Sequence, residues 1–198
     1  DIICDYKILI SVVTGAELTD QLATNTTTLV DGDEVSSEWV MHQVALQKAI
    51  EKVGATHVIT FHSNVLMAQA FVAKGTGTGI GSHLPGFQTF YVNGTQSTAA
   101  RSDDVNLFRD AEWRLITNAR CLTKGVDVPA VDMVAFMNPR KSRVDIVQAI
   151  GRAMREAGPD KKLGYVVVPL FLDRDAGETI EEAFEAYRLR GRGGRGQR

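Results

Sequence analysis

Residues 113–155 read WRLITNARCLTKGVDVPAVDMVAFMNPRKSRVDIVQAIGRAMR. This segment contains both patterns on which the architecture depends, that of buried strands and that of an amphipathic helix. Two apolar runs of strand length, 113–118 and 131–136, precede a helical pattern at 143–156. Both runs are rich in apolar and β-branched residues, as strands buried on both faces of a parallel sheet are. The segment therefore predicts two buried strands followed by a helix.

The same alternation extends along the rest of the chain. Further strand-length runs occur at 6–13, 56–61, 87–92 and 163–170, and further helical patterns occur at 36–53, 64–74, 98–110 and 178–190. Ser36 or Ser37 is the expected N-cap of the first helix, which should end at Gly54. This pattern predicts an α/β fold with a mostly parallel sheet of about six strands and helices on both faces. Residues 14–35 and 75–86 are predicted loops.

The charge is unevenly distributed along the 198 residues. The formal net charge is −2, yet the last thirteen residues contain five arginines and no acid. We therefore predict one domain at 1–187 and a flexible Arg/Gly-rich tail at 188–198, which either holds nucleic acid electrostatically or is a solvated end. The body is mildly acidic once the tail is set aside, so any nucleic-acid contact on it should be local.

Several classes of protein are disfavoured by composition. No run of 18 apolar residues is present, and the N-terminus lacks the features of a signal peptide, so a cytoplasmic protein with no membrane partner is expected. The two cysteines, Cys4 and Cys121, form no CxxC pair and suggest a reducing compartment. The four histidines have no metal-ligand spacing, so we predict no metal site.

A glycine-rich run, GTGTGIG at 75–81, invites comparison with phosphate-binding loops. The dinucleotide pattern GxGxxG fails in both frames, at Ile80 and Ser82, and the P-loop pattern fails because Phe87 stands where lysine is required. The run also follows a predicted helix and precedes a strand, the reverse of both motifs. We interpret it as a flexible loop rather than a nucleotide site.

The helix at 143–156 has a polar stripe. Gln148, Arg152 and Arg155 follow i, i+4, i+7 spacing, and Gly151 beside them leaves room for close approach. The opposite stripe, expected to pack on the sheet, consists of Val147, Ile150 and Met154. Two guanidiniums and an amide suit a triphosphate, although the spacing alone favours a solvated amphipathic helix.

Four segments together resemble conserved motifs of one family. QAIGRAMR (148–155) is similar to motif VI, LTKGVDVP (122–129) to motif V and ITFHS (59–63) to motif IV, while YVNGTQSTAAR (91–101) is similar to the segment between motifs IV and V. Their order and spacing resemble the C-terminal RecA-like lobe of superfamily 2 DEAD/DEAH-type helicases and translocases. The resemblance is nearest to restriction-enzyme translocase subunits and excision-repair helicases.

The resemblance implies a role in ATP hydrolysis for part of the chain. Arg155 would be the arginine finger, Arg152 would bear on the phosphates and Gln148 would link ATP to the lobe interface. The ATP contacts that it implies are Gly125, Asp127 and Gly151. For Asp127, a turn cap before Pro129 is the alternative.

The resemblance also implies a nucleic-acid track. The residues that it assigns to this track are Ser63, Asn64, Arg101, Thr117, Asn118 and Thr123. Thr117, Asn118 and Thr123 would contact phosphates or organise motif V. Simple N-capping is the alternative for Ser63 and Asn64. A structural role is the alternative for Arg101. A basic turn at 140–143 is either a solvated loop or a further contact.

The family's Walker A loop and DExx box are not found in this chain. The resemblance therefore implies half of an enzyme, in which ATP with Mg²⁺ is bound mainly by an N-terminal RecA-like lobe of the same parent chain, and this chain alone should not hydrolyse ATP. DNA is favoured over RNA as the other partner. The alternatives are a non-enzymatic α/β nucleic-acid-binding or adaptor module and a small-molecule enzyme that uses the glycine loop.

Overall fold

The computed structural model describes residues 5–18, 37–73, 79–119, 131–138, 146–147, 150–151, 163–172 and 177–193. The strands are β1 (Asp5–Thr14), β2 (His57–Phe61), β3 (Gln88–Asn93), β4 (Arg114–Ala119), β5 (Met133–Phe136) and β6 (Leu163–Leu172). The helices in these ranges are α1 (Ser37–Val53), α2 (Val65–Phe71), α3 (Thr98–Asp110) and α4 (Ile180–Gly193). Each matches a predicted element. In the fifth predicted helix, residues 146–147 and 150–151 are helical and the other positions lie outside the described residues.

The six strands form one sheet in the order β1-β6-β5-β2-β4-β3. Every neighbouring pair is parallel. The predicted α/β class and strand number are therefore confirmed. Because all strands run in the same direction, their carboxyl ends meet along one edge of the sheet, where ligands of such sheets bind.

Helices cover both faces of the sheet, as predicted. On one face, Trp39 and Leu46 of α1 pack with Val58 of β2 in one apolar cluster. On the other face, Phe108 of α3 packs with Ile59 of β2 in a second cluster. Val58 and Ile59 are adjacent and both fully buried, because successive strand side chains point to opposite faces. Burying each contributes about 1.5–3 kcal/mol, which explains why the central strands are apolar throughout.

Helix α1 ends where the sequence predicts. Gly54 adopts a left-handed φ of 67°, and its N–H donates to the Ile50 carbonyl at 2.8 Å. The glycine accepts this conformation without the steric cost that a side chain would add. The predicted N-cap Ser36 lies outside the described residues, and Ser37 is the first helical residue.

Part of the predicted loop at 14–35 is helical. Residues 15–18 form a helical turn that Thr14 and Glu17 stabilise as a capping box, with the Thr14 N–H donating to Glu17 Oε2 at 2.9 Å. Lys48 of α1 donates to the other Glu17 oxygen at 2.6 Å. The capping pattern T-x-x-E was therefore the signal that the sequence reading missed. Residues 19–36 lie outside the described residues.

The flexible-loop prediction is wrong for the end of the glycine-rich run. Residues Ile80–Ser82 form a 3-10 turn, and the Ile80 side chain is fully buried in the cluster below α1. A Cβ atom built on Gly79 would lie 2.2 Å from the Ala73 carbonyl oxygen, so this glycine permits close backbone approach. Residues 74–78 lie outside the described residues.

The last described helix runs into the segment predicted as a flexible tail. Helix α4 continues to Gly193, beyond the boundary predicted at residue 188. Its start has a capping box, in which Thr179 N–H donates to Glu182 Oε2 at 2.8 Å, and Arg188 pairs with Glu185 at 2.9 Å. The acids in the first turn interact favourably with the helix dipole and stabilise the helix, which continues past the glycine at 191. Within the described ranges, no helix is long and apolar enough to cross a membrane.

Candidate functional site

Hydrogen bonds continue past the carboxyl ends of the strands β2, β4 and β5 and join the segments there. The His62 N–H, just after β2, donates to the Asn118 carbonyl of β4 at 3.0 Å. The Met137 N–H, just after β5, donates to the Phe61 carbonyl of β2 at 3.0 Å. These bonds hold the segments after β2 and β5 in register with β4, so the edge is a continuous backbone surface.

The loop after β2 presents Ser63 and Asn64, both exposed. The Ser63 N–H donates to Asn138 Oδ1, beyond β5, at 3.0 Å. Asn64 has the extended backbone of an N-cap, and its Oδ1 accepts from the Met67 N–H at 2.8 Å. The capping role left open for Asn64 is therefore confirmed. A contact of either residue with nucleic acid stays a prediction.

The loop after β3 is held by a buried asparagine. Asn93 is 6% exposed, and its Oδ1 accepts from the Thr95 N–H at 2.7 Å, the Thr95 hydroxyl at 2.6 Å and the Gln96 N–H at 3.0 Å. Its Nδ2 donates to the Tyr91 hydroxyl at 2.6 Å, which donates in turn to the Val65 carbonyl at 3.4 Å. The loop is thus preorganised and joined to the start of α2.

Arg101 supports this loop from α3. Its guanidinium donates to the Gln96 carbonyl at 3.3 Å, and Gln96 Nε2 donates to Asp104 at 3.1 Å. Ser97 caps α3 by accepting from the Ala100 N–H at 3.2 Å. The structural role left open for Arg101 is confirmed, because its half-buried side chain fixes the loop from behind.

Two of the predicted contacts on β4 are buried. Thr117 is 0% exposed, and its hydroxyl donates to the Ala68 carbonyl of α2 at 2.8 Å. Asn118 is also 0% exposed, and its carbonyl accepts from His62. In this structure the Thr117 side chain places α2 and the Asn118 backbone carbonyl holds the segment after β2. A nucleic-acid contact by either residue stays a prediction. Alternation along β4 turns Thr117 into the sheet–helix interface, which the motif pattern does not reveal.

The residues predicted to contact ATP fall mainly beyond what the structure describes. Those outside the described residues are Gln148, Arg152, Arg155, Gly125 and Asp127, together with Thr123 of the predicted track. Gly151 is described and is half-buried in helical conformation.

The orientation of the helical residues 146–147 and 150–151 differs from the prediction. Ile146 and Ile150 pack against the cluster that α3 shares with the sheet, whereas Val147 is 68% exposed. The predicted packing of Val147 on the sheet is therefore wrong. Ile146 and Ile150 are spaced i, i+4 and share one helical face, and this pair was available in the sequence as an alternative apolar stripe.

The described segments after β2, β3 and β5 are polar but uncharged. The segments 62–64, 93–98 and 137–138 carry no Asp, Glu, Lys or Arg. Hydroxyls, amides and backbone N–H groups of this kind contact sugar and phosphate without reading sequence. Among the described residues, no group of three His, Cys, Asp or Glu side chains could hold a metal ion.

Sequence reasoning missed Asn138 and Asn93, which organise this edge. Each is the first or last polar residue at the carboxyl end of an apolar strand. Asn93 lies within the segment 91–101 that resembles the family, and Asn138 lies just beyond an apolar strand, where ligands of such sheets bind, but neither residue was predicted as a site residue.

Comparison with known proteins supports the motif interpretation. Residues 41–157, more than half of the chain, match the family described as the helicase conserved C-terminal domain. The chain belongs to this family. A Saccharomyces cerevisiae protein named as the ATP-dependent helicase IRC3 is 31% identical over 70 residues, which are 35% of this helicase C-terminal domain chain and 10% of the yeast protein.

Solved structures show the same RecA-like α/β fold. The ATP-dependent Type ISP restriction-modification enzyme LlaBIII bound to DNA matches with a TM-score of 0.71 and 24% identity, over 94% of this chain and 13% of that chain. The yeast DEAD-box splicing factor Prp28 matches with a TM-score of 0.57 and 16% identity, over 96% of this chain and 34% of that one. The helicase C-terminal domain thus spans only a small part of the relatives that it matches.

Proposed function

We propose that this helicase C-terminal domain is the second motor lobe of an ATP-dependent helicase or translocase, and that its carboxyl edge forms part of the nucleic-acid track. The observation that carries the proposal is the hydrogen-bonded edge, where the segments after β2 and β5 are bonded to each other and the segment after β2 is bonded to the end of β4. Family membership supports the motor-lobe role, and the DNA in the LlaBIII structure favours DNA over RNA as the ligand.

The track would consist of the exposed residues of two loops. Ser63 and Asn64 after β2, and Gly94, Thr95 and Ser97 after β3, lie on segments that share hydrogen bonds through Tyr91 and Val65. Neutral donors bind the backbone phosphates of any sequence, as a motor that moves along a strand requires. Contacts to uncharged groups also release few counterions, so these two loops would add little to the salt dependence of binding.

The ATP side of the lobe would be the helix that contains Ile146 and Ile150. These two residues pack on the core, and the sequence places Gln148, Arg152 and Arg155 at i, i+4, i+7 spacing in the same segment. A pair of arginines fits the charge of a triphosphate, with Arg155 as the proposed arginine finger. Mg²⁺–ATP would supply the phosphoryl group transferred to water, and an N-terminal lobe of the parent chain would hold most of it.

The proposed track is tested by a substitution that adds a charge to it and keeps the N-cap of α2. Asn64→Asp keeps the side-chain oxygen that caps α2, since Asp and Asn are equally good N-caps, but adds a carboxylate to the edge. In the full-length protein, we expect the Kd for single-stranded DNA to rise roughly fivefold or more because the carboxylate repels phosphates.

Asn106→Asp, on an exposed position of α3, is the matched control and should leave the Kd within about twofold. Binding is measured by fluorescence anisotropy with labelled DNA and, in parallel, labelled RNA. An Asn64→Asp variant that binds DNA as tightly as wild type would remove this edge from the track.

A further inference from the structure

Asn138 lies in the sequence between β5 and the proposed ATP-contacting helix. It is the second residue after β5, and the helical residues Ile146 and Ile150 follow it in the sequence. Its side-chain oxygen accepts from the Ser63 N–H, which belongs to the loop after β2. One side chain therefore links the loop proposed to touch nucleic acid with the segment that leads to the proposed ATP-contacting helix.

The hydrogen bond from the Ser63 N–H to Asn138 Oδ1 extends the β2–β5 ladder by one step. The last paired residues are Phe61 and Phe136, and Met137 N–H then bonds to the Phe61 carbonyl at 3.0 Å. The next donor along the β2 chain, Ser63 N–H, turns to the side chain of Asn138 at 3.0 Å rather than to a backbone carbonyl. The ladder therefore continues through a group that can be substituted without changing the backbone.

The rest of the loop after β2 is held by other means. His62 N–H bonds to β4, and Asn64 caps α2. Within the described part of the chain, the bond from the Ser63 N–H thus connects this loop through a side chain to the residues beyond β5. Ser63 is exposed, so water can satisfy its N–H when the Asn138 oxygen is removed, and the fold should survive the substitution.

We propose that Asn138 is a positioning residue that couples the nucleic-acid loop after β2 to the ATP-contacting helix after β5. The proposal rests on the proposed motor function. Asn138 itself touches neither ligand. Its acceptor oxygen keeps the two segments in one relative position, so that binding of nucleic acid at the loop favours the arrangement of the helix needed for ATP hydrolysis.

The experiment measures DNA-stimulated ATP hydrolysis by the full-length protein at saturating DNA. Asn138→Ala removes the acceptor, and we expect the ratio of stimulated to basal kcat to fall roughly threefold to tenfold, as loss of one hydrogen bond in the coupling would give. Asn138→Asp retains an acceptor oxygen and should keep this ratio within about twofold, although its charge raises the DNA concentration needed. Asn106→Ala is the control for loss of an exposed asparagine.

The outcomes separate the coupling from the motor function. A wild-type protein without DNA stimulation overturns both. Normal wild-type stimulation with an unchanged ratio in Asn138→Ala overturns the role of Asn138 alone. Equal losses in Asn138→Ala and Asn138→Asp overturn it as well, because the acceptor oxygen is then not the group that acts.

Hydrogen exchange gives a readout that does not depend on activity. In the full-length protein, the Ser63 amide should exchange faster in Asn138→Ala than in wild type, and Asn138→Asp should restore the wild-type rate. Equal Ser63 exchange in wild type and Asn138→Ala would show that the hydrogen bond does not hold the loop, and would overturn the proposal.

Discussion

Asp132 lies at the amino edge of the sheet, just before β5, and its carboxylate holds the first residues of β2. One oxygen accepts from the Thr56 N–H at 3.1 Å, the Thr56 hydroxyl at 3.0 Å and the His57 N–H at 3.0 Å. Burial alone would raise the pKa of Asp132, but these hydrogen bonds and the nearby His57 outweigh it and hold the pKa below its ordinary value. A single residue thus fixes the register of two central strands.

Substitution of Asp132 tests this role. Asp132→Ala leaves the Thr56 and His57 donors without their acceptor, and we expect the free energy of unfolding to fall by about 1–2 kcal/mol, a figure reduced because the carboxylate is partly exposed. Exposed Asp103→Ala on α3 is the control and should change it by less than about 0.5 kcal/mol. Urea denaturation of the 198-residue chain followed by circular dichroism measures both.

A comparison of wild type with Asp132→Ala also predicts how the free energy of unfolding depends on pH. Because the folded-state pKa of Asp132 is lowered, its contribution is present above its ordinary pKa of about 4 and is lost as the pH falls through the folded value. The stability difference between wild type and Asp132→Ala should therefore shrink as the pH falls below about 4. A difference that stays the same or grows below about pH 4 would contradict the assignment.

The secondary-structure elements show which features a single sequence reveals. The strands were predictable because central strands such as β5 are apolar on both faces, a signal independent of partners. The sequence did not reveal which face of the helix at residues 146–147 and 150–151 packs on the sheet. Ile146 and Val147 are both apolar, and only the position of the sheet distinguishes them. The burial of Thr117 was likewise hidden, since its motif position says nothing of the helix packed over it.

The turn after the glycine-rich run gives a prediction at the level of an element. Gly79→Ala places a methyl group against the Ala73 carbonyl, so the 3-10 turn must shift and Ile80 leave its buried position, at an expected cost of about 1–3 kcal/mol.

Gly81→Ala is the matched control for this substitution. There the nearest atom to the new methyl is Thr89 Cγ2 at 3.8 Å, an ordinary contact. Thermal unfolding compares the two, and equal melting temperatures for Gly79→Ala and Gly81→Ala would show that the close approach is not needed.

At the scale of the whole molecule, the polar edge and the helical residues Ile146 and Ile150 belong to one sheet and its core. The edge is fixed through β2, β4 and β5, and the helical residues pack on the same core. This arrangement suits a lobe that moves as a unit against a second lobe, so that ATP-driven closure displaces bound nucleic acid. The missing half of that motor is proposed to lie in the parent chain.

The most direct test of the motor role is ATP hydrolysis by the full-length protein with and without DNA. Wild type should be stimulated by DNA, and Arg155→Ala should lower the stimulated kcat by roughly 10³-fold or more, because the arginine finger neutralises charge in the transition state. Arg109→Ala, an exposed arginine of α3 that bonds to Asn106, should retain the wild-type rate. Undiminished DNA-stimulated turnover in Arg155→Ala would contradict the account.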